Sequence, residues 1–425
     1  MKPWKDWCRF WFRPQTAQVL GLYRIVLGLL TIYSFGLFAK DAVTFFSDAG
    51  MLTTQTLSKS MGRPYFTILQ WIGSPLGVSL ALVALFFAAA CFTVGWHTRI
   101  SSIVLFLLVT SFHERNNLVL NGGDTVLRTM LFYFMFAPAG AALSVDRIRQ
   151  RLRQPDGATV GPVLIVPWAQ RMLQVQVAVI YLVTAYAKSR GSLYHEGTAM
   201  YYVFGLVDFN IRGVELLMNY PVLCSFLTYS ALLIELTLPF LLWFRSARPY
   251  AVLLGLFAHG WIIVFMTIPV FGVLMLATYI PFFTELEFRR AAVRIRRWAR
   301  SRGARVYFDE DCPTCRRARR LVAALDATGR LTSLDARTAD LPPGLDRPSL
   351  LEEMVVVTWR GDVYRGFDAW RWLLARMPAL CVLAPLAWLP GVSFVGRRIY
   401  RRLARGRTLL SRCEGAEVCE TVPRA

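Results

Sequence analysis

Residues 76–96 read Leu76-Gly-Val-Ser-Leu-Ala-Leu-Val-Ala-Leu-Phe-Phe-Ala-Ala-Ala-Cys-Phe-Thr-Val-Gly-Trp96. The stretch carries no charged side chain, and about 20 such residues wound as an α-helix cross the hydrocarbon of a bilayer. In lipid every backbone polar group must be satisfied within the segment, so a helix is the only local solution. Working outward, further apolar runs occupy Val19–Phe38, Ile100–Phe112, Val126–Leu143, Leu173–Ala187, Val222–Phe244, Tyr250–Met266 and Val270–Phe283. Together they predict about eight spans, although the Ile100, Leu173 and Val270 runs are short and need polar neighbours to cross. After Glu285 the composition turns to that of an ordinary water-soluble domain rich in arginine. The expected fold is an α-helical polytopic membrane bundle followed by a small α/β domain. Its expected parts are an interfacial segment (1–15), a membrane domain (16–284), a basic linker helix (285–302) and a soluble domain (303–425).

The chain is 55% hydrophobic with a formal charge of +21. A nucleic-acid surface would gather its cations on one folded face. Here they flank the apolar runs, as in Arg147–Arg153 and Arg289–Arg302, so the expected partner is the lipid bilayer and not nucleic acid. Lysine and arginine near span ends set orientation. With the N-terminus inside, the inner segments hold Lys2, Lys5, Arg9, Arg13, Arg99, the two arginine clusters, Arg245 and Arg248. The longer outer segments hold fewer cations, so both termini are expected in the cytoplasm. Trp4, Trp7 and Trp11 recur at helical spacing among cations, the pattern of a helix lying on the inner leaflet. The first apolar run is followed by others and no cleavage site precedes it, so it is expected to stay as an anchor. Gln154–Pro167 reads as a loop.

In the soluble part, Val306-Tyr307-Phe308 reads as a strand. Asp309-Glu310-Asp311-Cys312-Pro313-Thr314-Cys315 follows, and then a helical stretch from Arg316 to Asp326. Strand, Cys-x-x-Cys, helix is the thioredoxin-like order. It places the first sulfur at a helix N-terminus, where unpaired amides favour thiolate, and the second within reach to resolve a mixed disulfide. Cys312 is the expected nucleophile and Cys315 the resolver. A half zinc site completed by Cys413 and Cys419, or an inert thiol pair, stands against this reading. In a reducing cytoplasm the pair would act as reductant or sensor, with a cytoplasmic thiol reductant as partner. The four histidines fall at no metal-binding spacing, so no metal site is expected.

Ionisable residues inside apolar runs are costly and often functional. Gln174, Tyr181, Thr184 and Lys188 share one helical face. Lys188 either points into the bundle or snorkels to the outer headgroups. Glu235 is mid-run and needs Arg24, Lys188 or His259 as partner, or a proton. His259 by itself reads as a packing histidine.

Two resemblances add to this. Arg24-Ile-Val-Leu-Gly28, Phe45-Phe46-Ser47-Asp48-Ala49-Gly50, and Arg115-Asn-Asn-Leu-Val-Leu-Asn-Gly-Gly-Asp124 running to Arg128 and Ser144-Val-Asp146 resemble the HTTM family. That family is related to vitamin K-dependent gamma-carboxylase. The block from Tyr181-Leu182 to Lys188, with Gly191 and Gly197-Thr-Ala199, is similar to the family block that ends in a lysine, a tryptophan and Gly-x-Ala; Tyr194 stands where tryptophan is usual. The resemblance covers about Thr16 to Phe283 and implies a bacterial inner-membrane protein. It also implies Lys188 as a base acting on a quinone-like cofactor, with Tyr181, Thr184, Glu235 and His259 expected to line the site. The carboxylase's large luminal domain is missing, so carboxylation itself is not implied. Asp309, Asp311, Cys312, Pro313 and Cys315, with Tyr364-Arg-Gly-Phe-Asp-Ala369 and Leu389-Pro-Gly-Val392, resemble the DCC thiol-disulfide oxidoreductases over about Arg305 to Arg407. Glu310 departs from their usual glycine.

The function these features imply is a membrane redox enzyme acting on a hydrophobic quinone-like molecule or a peptide, coupled to a dithiol domain. A maturation factor for an exported peptide is the second expectation. A transporter or receptor with a redox-sensing tail is the third.

Overall fold

The computed structural model describes residues 2–60, 65–153, 163–326, 328–342, 344–377, 380 and 384–413, with backbone only for 2, 60 and 405–413. Most of the expected loop at Gln154–Pro167, the Cys413 side chain and Cys419 lie outside the described residues. The chain divides into two compact units, residues 1–147 with 160–285, and residues 148–159 with 286–425.

In the first unit each predicted apolar run meets a helix, but the Val126–Leu143 run leaves its α-helix after Phe134 and the Val270–Phe283 run after Ala277. The helices are α2 (Gln18–Phe38), α3 (Pro75–Val94), α4 (Thr98–Arg115), α5 (Gly122–Phe134), α6 (Trp168–Ser189), α7 (Pro221–Leu241), α8 (Arg248–Phe265) and α9 (Pro269–Ala277), preceded by α1 (Lys2–Phe12). Proline opens α3, α7 and α9, where its missing N–H costs nothing. Helix α3 ends at Gly95, which is left-handed (φ 70). A Cβ there would also lie 2.8 Å from the Arg24 guanidinium, so only glycine fits.

The expected count of eight spans is not met by length and apolarity. Among the described residues four helices are long and apolar enough to cross a membrane, or five if Pro269–Phe282 and Glu285–Arg300 form one broken span. The others fall short for identifiable reasons. Helix α4 carries Arg99, Glu114 and Arg115, α5 has 13 residues and α9 has 9, and glutamines lower the hydropathy of α6. One core joins α2 to α6 through residues such as Leu27, Leu85, Phe112, Leu131 and Val177. Only 17% of the apolar window of α7 and 22% of that of α8 is buried. Large side chains such as Phe226, Leu233, Leu253 and Phe257 therefore point outward, as a lipid-facing surface requires. In α1, Trp4 and Trp7 are exposed.

The second unit opens with the basic helix α10 (Glu285–Arg300) and builds a sheet from β1 (Ala304–Phe308), β2 (Leu331–Asp335), β3 (Val355–Thr358) and β4 (Val363–Arg365). The strand order is β2-β1-β3-β4, with β1 parallel to β2 and antiparallel to β3, and β3 antiparallel to β4. Helix α11 (Pro313–Leu325) makes the crossover between the parallel pair. Alternation along β1 sends Val306 and Phe308 to one face, against Val322 of α11 and Leu373 of α13 (Gly366–Arg376). Tyr307 goes to the other face, with Leu350 of α12 (Arg347–Glu352) and Val357. The unit closes with α14 (Val392–Cys413).

Candidate functional site

Helix α6 carries a buried polar stripe. Gln170 and Gln174 both donate to the Pro281 carbonyl, at 2.6 and 2.7 Å. Two turns beyond Gln174, the Tyr181 hydroxyl lies 2.6 Å from His259 Nε2 of α8 and 2.7 Å from the Tyr279 hydroxyl. Tyr279 reaches this position because Gly255 of α8 has no side chain; a Cβ there would meet the ring at 2.4 Å. Two turns further, Lys188 Nζ donates to Glu235 Oε1 of α7 at 2.5 Å. The side chains of this pair are 31% and 19% exposed. The Lys188 ammonium also lies 5.7 Å from the centre of the Tyr194 ring.

Three of the four residues expected to line the cofactor site thus join Lys188 in one neighbourhood, and Tyr279 joins them unforeseen. Thr184 does not join. Its side chain is exposed and its hydroxyl donates to the Ile180 and Tyr181 carbonyls of its own helix. The 3.6-residue period placed it on the right face of the helix, but a threonine can satisfy itself on the turn below and need not seek a partner. Lys188 is turned toward Glu235 of the neighbouring helix. Two buried atoms of the cluster, Glu235 Oε2 and His259 Nδ1, have no hydrogen-bond partner among the described residues. Pro239 follows Glu235 by one turn inside α7 and has no N–H to give the Glu235 carbonyl.

In the second unit the expected order of strand, Cys-x-x-Cys and helix is present. Cys312 is the N-cap residue of α11, in extended conformation (φ −81, ψ 118), and Pro313 opens the helix. Cys312 and Cys315 are 2% and 4% exposed, so a partner's sulfur needs a local opening to reach either. The acidic residues of the motif are neutralised from outside it. Arg337, two residues past β2, places Nε 2.8 Å from Asp309 Oδ1 and 3.0 Å from Asp311 Oδ2. The hydrogen bond to Asp309 raises this guanidinium above its ordinary value, despite some desolvation. Arg319 pairs with Glu310, and Arg316 Nη1 donates to the Glu310 carbonyl at 3.1 Å. Glu310, in the place of the usual glycine, is therefore part of a polar clamp around the loop. Among the described residues no group of three or more His, Cys, Asp or Glu is placed to hold a metal ion.

The HTTM domain family matches residues 12–287, well over half of the chain. The chain belongs to the HTTM family. Residues 306–413 match the DCC1-like thiol-disulfide oxidoreductases, so the protein is a fusion of the two domains. No curated protein and no solved structure matches the chain.

Within the HTTM domain, the sequence blocks between Arg24 and Asp146 quoted for the resemblance are held by polar contacts. Arg24, fully buried in α2, donates to the carbonyls of Ala139 (2.6 Å) and Leu143 (2.5 Å). Arg115 pairs with Asp48 at 2.9 Å, and Asn116 donates to the Phe45 carbonyl at 2.9 Å. Asn121 and Asp124 form a capping box at the start of α5. Asp146 accepts from the His97 and Thr98 amides (2.9 and 2.8 Å) and from the Thr98 hydroxyl (2.7 Å). It caps α4 from 48 residues away in sequence. These residues hold loops to helices, and the polar cluster around Lys188 stands apart from them.

Proposed function

We propose that this protein is a multi-pass redox enzyme of the bacterial inner membrane with both termini in the cytoplasm. In this reading the Lys188–Glu235 pair, with Tyr181, His259 and Tyr279, removes a proton from a hydrophobic hydroxylic substrate of quinol type. The observation that carries the reading is the pair itself, together with the two unpartnered buried atoms beside it, Glu235 Oε2 and His259 Nδ1. Buried polar atoms without partners call for an explanation, which a ligand's polar groups would supply here. A quinol bound there would give up two electrons and two protons to become a quinone, with dioxygen taking both and becoming hydrogen peroxide; its hydroxyl suits Glu235 Oε2 as acceptor and His259 as a second contact. The reacting form is the one in which Lys188 has lost its proton, and the first quinol proton passes by way of Glu235 Oε2 to the Lys188 amine, with the linked hydroxyls of Tyr181 and Tyr279 orienting the imidazole. Lysine, unlike arginine, can give up its proton near neutral pH when its surroundings are apolar.

The dithiol domain supplies the second half of the reading. Thiolate at Cys312 attacks a partner disulfide, whose sulfur–sulfur bond breaks as the mixed disulfide forms and one partner thiol leaves. Cys315 then displaces the second partner thiol. The partner is reduced by two electrons and the Cys312/Cys315 pair is oxidised to a disulfide, which a cytoplasmic thiol reductant returns to the dithiol.

The test uses the purified full chain in nanodiscs with a reduced naphthoquinone as probe and dioxygen as oxidant. Oxygen uptake should exceed that of empty discs, and Lys188→Ala should lower it by about 10²-fold or more. Lys188→Arg, which keeps the charge but cannot act as a base, should fail equally. Uptake no faster than in empty discs, or an active Lys188→Arg protein, rejects the proton-transfer role.

A further inference from the structure

Residues 384–413 contain seven arginines and no aspartate or glutamate. Helix α14 rests on its own domain through one face. Tyr400 accepts from the Met354 amide through its hydroxyl at 2.9 Å, and Arg397 pairs with Asp368 at 3.0 Å. Gly396 lies against the Phe367 ring, where a Cβ would come within 2.2 Å. On a 3.6-residue period Val392, Val395, Ile399 and Leu403 form a separate stripe. The side chains of Val395, Ile399 and Leu403 are 54%, 54% and 64% exposed, with exposed Arg398 and Arg402 alongside. The segment leading into the helix continues the pattern, since Leu386, Trp388 and Leu389 are each more than half exposed. The Arg371 guanidinium lies 4.5 Å over the Trp388 ring, which leaves the indole's apolar edge outward.

We propose that residues 386–403 form an interfacial surface that seats the dithiol domain on an anionic phospholipid leaflet. An apolar stripe bordered by arginines, with a tryptophan near its start, is the composition of a helix lying in the headgroup layer. Charge complementarity favours lipid over a second copy of the chain, which would bring the same arginines together without a single acid to offset them. The linker ties this domain covalently to a membrane domain, so a bilayer is at hand at high local concentration. The surface goes beyond the proposed redox chemistry and confines the dithiol to partners that reach the same leaflet.

The experiment places a photo-crosslinking residue, benzoylphenylalanine, at Val395 of the full chain in nanodiscs. A second protein carries it at exposed Asp340 as control. In discs containing phosphatidylglycerol, illumination should yield a phospholipid adduct at position 395 and none at 340. The yield at 395 should fall about tenfold in phosphatidylcholine discs, and likewise in Arg398→Glu/Arg402→Glu protein. The lipid comparison uses the same unmutated arginines, so its outcome does not depend on how well the charge-reversed protein folds. Equal yields in both lipids, an adduct to protein in place of lipid, or no adduct at 395 each overturn the proposal.

Discussion

The polar cluster of the HTTM domain and the dithiol loop of the DCC1-like domain solve the same problem in opposite ways. Both must hold charged side chains in place, the cluster largely out of water and the loop with Asp311 and Arg337 open to it. The cluster gathers Tyr181 and Lys188 from α6, Glu235 from α7, His259 from α8 and Tyr279 after α9, and its ion pair closes between residues 47 apart. The dithiol loop is seven consecutive residues, Asp309 to Cys315, and Arg337 reaches it from beyond the next strand. A site made of contacts between helices depends on the whole bundle. A site made by one turn depends on the strand before it and the helix after it.

Severing Lys188 from Glu235 should produce the largest effect. Glu235→Leu leaves an ammonium in an apolar bundle without its counter-charge, and breaking such a pair costs about 3–5 kcal/mol when it is fully buried. With Lys188 31% exposed, the loss should lie toward the lower end of that range. The double replacement Glu235→Leu/Lys188→Met should recover most of it, because no unpaired charge then remains. Unfolding in mixed micelles, run as a double-mutant cycle, measures the coupling. A coupling below about 0.5 kcal/mol would mean that solvent screens the pair and the contrast between the two regions is false.

Arg337→Ala asks whether the local site has a non-local dependence. The loss of fold stability should be about 1 kcal/mol or less, because Arg337 is well exposed. The chemical effect should be plainer. With Asp309 and Asp311 no longer neutralised, thiolate beside them is disfavoured, and alkylation of the dithiol at pH 7 should slow several-fold. Arg337→Lys should restore part of the rate, since it returns the charge without the planar guanidinium. An unchanged rate in Arg337→Ala would confine the site to the contiguous motif.

The same contrast explains what the sequence made legible. Seven adjacent residues, Asp309–Cys315, carried the dithiol reading before any fold was known, because helix N-terminus and sulfurs lie within one turn. Each apolar run could be matched to a helix, since hydropathy is a local property. The number of crossings could not be read so directly, because polar residues such as Glu114 and Arg115 sit inside helices that bury them against neighbours. Glu235 was evidently in need of a partner, but three candidates were open and only packing selects Lys188. Tyr279 gave no signal at all. Its role depends on Gly255 leaving room on another helix, a relation that no spacing encodes. Arg337 was equally hidden, because the parallel pairing of β1 with β2 brings it to the loop.

The smallest expected effect concerns Asp146, a residue outside the apolar runs that acts on a helix across the domain. Desolvation works to raise its carboxyl, but hydrogen bonds from Thr98 and His97 outweigh this and hold it below its ordinary value. A carboxylate depressed in the folded state contributes stability that is fully present above its unfolded value, about 3.9. That contribution is lost as pH falls through the lower folded value. Asp146→Asn keeps an acceptor for one amide but loses the charge, so at pH 7 the protein should be less stable by about 1 kcal/mol. As pH falls below about 3.9 the advantage shrinks, and the two proteins should converge once pH is below the carboxyl's lower folded value. Other carboxylates titrate alike in both, so the difference in midpoint between the two proteins isolates Asp146. Thermal unfolding in detergent at a series of pH values between 7 and 3 reads that difference. A gap that stays constant over the whole series would show that the side chain works only through shape and hydrogen bonding, and that its charge adds nothing to the cap on α4.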